Sequence, residues 1–158
     1  MSYICHSGYG YSKVLCEDAT SWFLNNFFPN HKITVDIVHR GLKREAVYGY
    51  CDVIGDYSRP RHFLIEMQTY MDEELYLQTL FHELTHMAQW VRGSLRSRYG
   101  KLCYCKEPVD NYEYWYMPHE IEAREEEERL YHWYLNDKQS VPVEELSQGF
   151  ANRLCSAL

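Results

Sequence analysis

The stretch Leu80-Phe81-His82-Glu83-Leu84-Thr85-His86-Met87-Ala88 constrains this chain more than any other. It sets an HExxH pattern inside an apolar run of helical spacing. Residues four apart on a helix share one face, with Cβ atoms about 5–6 Å apart. The imidazoles of His82 and His86 can therefore converge on one metal ion, with the Glu83 carboxylate beside any water that ion holds. Such a centre needs a third protein ligand, a rigid dry support and an edge along which a substrate can lie.

The support is legible around the motif. Asp72 is placed to cap a long helix, Glu73 and Glu74 sit in its first turn against the positive end of the dipole, and Gly93 marks its stop. Leu77, Leu80, Phe81, Leu84, Ala88 and Val91 form its buried stripe, while Thr79, His82, Glu83 and His86 lie to one side. Upstream, Ser12 opens a helix in which Leu15, Ala19, Trp22, Phe23 and Phe27 recur at helical spacing, and Pro29-Asn30 ends it. Between Lys32 and Gln68 the period changes to two. Ile33, Val35 and Ile37 alternate with more polar neighbours, a second strand covers about Val47 to Ile54, and a third covers His62 to Gln68.

Short connections between these strands predict an α+β fold with a small, mainly antiparallel sheet of three strands or slightly more, packed on the HExxH helix. The Gly- and Tyr-rich residues 1–11 are expected to wrap the surface, and residues 94–117 to be irregular. Pro118 suits the first turn of a helix running to about Leu135, and Val143, Leu146, Phe150 and Leu154 predict a last helix from about Pro142 to Cys155. With no internal repeat and no long linker, residues 1–158 read as one domain.

The helix that Pro118 opens offers three candidates for a third ligand: His119, Glu120 and Glu122. Glu120, Ala123, Glu127, Leu130 and Tyr134 fall on one stripe, whereas Glu122, Glu125, Glu126 and Arg129 fall on the other side. Glu120 is thus the carboxylate that points inward. Glu122 and Glu125 to Glu128 read as a solvated acidic face. His119 stays as an alternative, because imidazole is an equally good zinc donor.

Composition narrows the partners. A formal net charge of −7 points away from nucleic acid, whose phosphates must be met by Lys and Arg; Arg92, Arg96, Arg98 and Lys101 form the one local basic cluster. Met1-Ser2-Tyr3-Ile4-Cys5-His6 has no secretory signal pattern, and no run approaches the roughly 18 apolar residues of a membrane span. A soluble, cytoplasmic chain without membrane partners is expected, its six cysteines reduced. Cys103-Tyr104-Cys105 has one intervening residue rather than the two of common zinc knuckles, so a structural zinc site there is a weak reading.

HELTH on a helix after a small sheet, followed by Pro118-His119-Glu120-Ile121-Glu122-Ala123 opening another helix, resembles the zincin metallopeptidases of the gluzincin type. The ExxA spacing from Glu120 to Ala123 is similar to the third-ligand motif of ImmA/IrrE-type and HtpX-like peptidases, and the short layout resembles theirs and that of SprT-like proteins. Arg124 stands where some HtpX-like relatives carry an acidic residue, and no histidine lies between His86 and His119 to match the SprT-like ligand. The resemblance implies a zinc peptidase acting on a protein or peptide substrate. His82, His86 and Glu120 would hold Zn²⁺, and Glu83 would serve as general base. The last strand before the motif helix would be a sheet edge pairing with extended substrate through Leu64, Ile65 and Glu66. One of Tyr112, Tyr114 or Tyr116 could donate to the developing oxyanion. The alternative is a silent zincin-fold module that holds zinc and binds a partner strand.

Overall fold

A computed structural model describes residues 1–139 of the chain. The helix expected from Pro142 to Cys155 lies outside the described residues. The fold is α+β. Strand β1 (Tyr3–Gly8) leads through helix α1 (Lys13–Phe27) to β2 (Thr34–His39), followed by β3 (Gly49–Val53) and β4 (His62–Met67). Helix α2 (Glu73–Arg92) comes next, then a small sheet of β5 (Leu95–Arg98), β6 (Lys101–Tyr104) and β7 (Glu107–Pro108), and finally helix α3 (Pro118–Gln139). No helix among the described residues is long and apolar enough to cross a membrane. The five described cysteines are all free.

The main sheet corrects the antiparallel expectation. It has four strands in the order β1-β2-β4-β3, with β1 and β4 both parallel to β2 and only β3 antiparallel to its neighbour. Parallel neighbours need a crossover between them, and α1 supplies it between β1 and β2. Residues 1–11 therefore do not simply wrap the surface: six of them pair with Thr34–His39. Residues 94–117 are likewise more ordered than expected, since β5, β6 and β7 form an antiparallel sheet of their own.

One consequence bears on the expected substrate edge. Strand β4 lies between β2 and β3, so the backbone of Leu64, Ile65 and Glu66 is engaged on both sides. Ile65 is fully buried, and Glu66 is committed to Arg40 through two hydrogen bonds of 3.0 and 3.1 Å. These three residues do not form a free edge. Proximity in sequence to the motif helix was the wrong guide, because the chain places β3 outside β4 and closes the sheet there.

The core joins the inward face of this sheet to α1 and α2. Val35, Ile37, Phe63, Ile65 and Met67 meet Phe23, Leu77, Leu80, Phe81 and Leu84, all essentially inaccessible to water. Burial on this scale stabilises by about 1.5–3 kcal/mol for each large apolar side chain removed from water. Helix α2 has the ends its sequence predicts. Asp72 accepts a hydrogen bond from the Leu75 amide at 2.9 Å. Gly93 adopts a left-handed φ of 84°, and its N–H reaches the carbonyls of Gln89 and Trp90. Helix α3 packs along α2.

Candidate metal centre

Because α2 is fixed by the core on one side, its polar residues are turned toward α3 and β3. His82 and His86 bring their Nε2 atoms to 3.1 Å from each other. Glu120, in the first turn of α3, closes a triangle: its Oε2 lies 3.3 Å from His82 Nε2 and its Oε1 3.4 Å from His86 Nε2. The three ligand atoms all fall within 4.8 Å of one another, so the group could hold a metal ion.

Proton positions sharpen this. His82 Nδ1 lies 2.7 Å from Glu127 Oε2, and His86 Nδ1 lies 2.9 Å from Gln89 Oε1. Both partners are acceptors, so each neutral ring carries its proton on Nδ1 and turns a bare Nε2 lone pair inward. With both rings neutral, two lone pairs and a carboxylate face one point, and either a metal ion or a proton on His82 relieves the repulsion. Among the described residues Glu120 Oε2 is buried with no hydrogen-bond partner, as befits an atom aimed at a cation. The donor set fits a divalent metal: two neutral imidazoles and a carboxylate are the ligand types of open zinc sites.

The electrostatics agree. Burial lowers the affinity of His82 for a proton, yet Glu120 and Glu127 outweigh it and push its pKa up to about 10. For Glu120 burial acts upward, but His82 and His86 prevail and hold its carboxyl far below the usual carboxylate range. Glu83, only 6% exposed, is shifted the other way: burial raises its pKa to about 7 against the pull of His86 and His82. A carboxyl poised there can take up and release a proton near neutrality.

Gly49, at the start of β3, makes room for that carboxyl. A Cβ at this position would stand 2.8 Å from Glu83 Oε1 and 2.9 Å from its Cγ. The edge strand thus runs against the Glu83 side chain. Of the three tyrosines before α3, Tyr114 reaches the site. Burial of its hydroxyl and the nearby Glu120 charge raise its pKa, although its ring, like those of Tyr112 and Tyr116, is largely exposed. His119 is buried beside the triangle, its ring centre 5.6 Å from that of His86 and its Nε2 3.6 Å from Glu120 Oε1, but it does not join the three ligand atoms.

Sequence reasoning missed several residues. Glu127 lies on the inward stripe with Glu120, a signal that could have separated it from the acidic run around it. It is half-buried and bound to His82, and Glu122 is likewise taken up by Gln89 and Tyr104. Arg124 plays no part in orienting the histidines; its guanidinium lies over the Trp115 ring and donates to the Trp115 carbonyl. Gln89 and Gly49 carried no pattern of their own. Comparison of the chain with protein-family models, with curated proteins and with solved structures returns no match.

Proposed function

We propose that this protein is a zinc-dependent peptidase, with His82, His86 and Glu120 as the metal ligands and Glu83 as general base. The observation that carries the reading is the buried Glu83 carboxyl set beside a triangle formed by His82, His86 and Glu120, whose ligand atoms lie within 4.8 Å of one another. When bound, zinc supplies the positive charge that polarises a peptide carbonyl and makes water acidic enough to deprotonate near neutral pH. Glu83 accepts the proton of the attacking water and returns it to the leaving nitrogen. Tyr114, next to Glu120, donates a hydrogen bond to the carbonyl oxygen as negative charge grows on it. The outer edge of β3, unpaired among the described residues, takes the substrate as an added strand, and its start at Gly49 brings that strand past Glu83.

Purified protein should bind about one zinc per chain, and Glu83→Gln should lower peptide hydrolysis by about 10²–10⁴-fold while keeping the metal. A chain that takes up no zinc, or a Gln variant as active as the parent, sinks the proposal. The free β3 edge also supports a second reading, a module that holds zinc and binds a partner strand without cutting it. In that case Glu83→Gln leaves partner binding intact and no peptide is cleaved by either form.

A further inference from the structure

The two candidate ligand histidines are held by unlike groups. His82 faces a carboxylate, Glu127, whereas His86 faces a neutral amide, Gln89. An amide can turn over and present its NH₂ instead, which would force the opposite tautomer on His86 and remove its lone pair from the centre. Gln89 cannot turn over. Its Nε2 donates to the His119 carbonyl at 2.9 Å and to Glu122 Oε2 at 2.8 Å, two acceptors that occupy both amide hydrogens. Glu122 is held in turn by the Tyr104 hydroxyl, which donates to the same Oε2 at 2.8 Å. Tyr104 ends β6, in the small second sheet.

We propose that Tyr104, Glu122 and Gln89 form a positioning relay through which the second sheet fixes the tautomer and aim of His86. The proposal rests on the metal reading above. It gives β5, β6 and β7 a role at the centre: they carry the hydroxyl that anchors Glu122, so that Glu122 keeps the Gln89 oxygen turned to His86 Nδ1. Gln89 is 2% exposed, so water cannot replace a lost partner freely.

The test reads metal affinity and ring protonation rather than turnover. Nitrogen-15 NMR of the metal-free wild type should find the His86 proton on Nδ1, and Gln89→Leu should give a mixture of tautomers. In chelator competition Gln89→Leu should weaken zinc binding by about 10–100-fold. Tyr104→Phe, which deletes one oxygen atom, should weaken it by roughly three- to tenfold, the worth of a hydrogen bond one step further out. It also serves as the decisive variant should Gln89→Leu fail to fold. A zinc affinity within about twofold of wild type in a folded variant overturns the relay. Failure of the metal reading looks different: the wild type itself would bind no zinc, while its His86 tautomer would still report whether the relay holds.

Discussion

Helix α2 takes part in two buried histidine clusters, and they are built on opposite principles. Toward its N-terminal end, Tyr76 donates to Nε2 of His39 on β2 at 2.9 Å, the other ring nitrogen reaches the Ser7 carbonyl at 3.0 Å, and the Tyr11 ring stacks on the imidazole with centres 3.4 Å apart. Both nitrogens are matched. Burial lowers the pKa of His39, and the ring sits neutral in the core. Further along the helix, His82 and His86 use one nitrogen each for a protein acceptor and aim the other at the Glu120 carboxylate. Burial and pKa shifts are common to both clusters. What distinguishes the second is that two ring nitrogens and a carboxylate converge within 4.8 Å of one another, a group that could hold a metal ion.

The comparison can be broken at either cluster. Glu120→Ala removes the third donor, and zinc affinity should fall by more than the roughly 10–100-fold that an outer partner is worth, as measured by chelator competition. An affinity within tenfold of wild type, as read on the scale, would show that the triangle is not the centre. Tyr76→Phe acts on the matched cluster. It should leave His39 Nε2 without a donor and lower unfolding free energy by about 1–3 kcal/mol in urea titration, with zinc affinity unchanged. A loss of zinc binding there would mean that the clusters are coupled.

The sharpest contrast between the clusters is in pH. His39 has a depressed pKa in the fold, so the unfolded chain takes up a proton first as pH falls through about 6.5, and this cluster costs stability on the acid side. His82 without metal has a raised pKa. Its contribution is fully present below about 6.5 and is lost as pH rises through about 10, because there the folded chain alone holds the proton. Metal-free protein should therefore show a decline in urea midpoint between about pH 6.5 and 10 that His82→Gln removes and saturating zinc abolishes. A decline that persists in His82→Gln would assign it to another group.

Much of this was legible in the residues, and the boundary of legibility has physical causes. The α2 ends follow from Asp72 and Gly93, whose capping chemistry is local. The choice of Glu120 over Glu122 as the inward carboxylate followed from helical periodicity, and the structure brings Glu120, His82 and His86 together. Strand order was not legible. Nothing in Tyr3 to Gly8 announces a parallel edge strand, because its outer side faces solvent and only Ile4 and His6 are half-buried. Nor did sequence show that β3 rather than β4 is the edge, since order in a sheet is set by long-range pairing. Glu127 and Gln89 were hidden for another reason: their roles depend on how α2 and α3 face each other, which no single stretch encodes.

The third ligand stands on a different helix from the first two, and this orders events during synthesis. All four strands of the main sheet and the whole of α2 precede Glu120 in the chain. At about 5–20 residues per second, Glu120 leaves the ribosome a few seconds after His86. The nascent chain can thus settle its sheet and bury the apolar stripe of α2 with the histidines still only a pair. The triangle of donors closes only when α3 docks, so the site is completed on a body whose sheet and α2 have already formed.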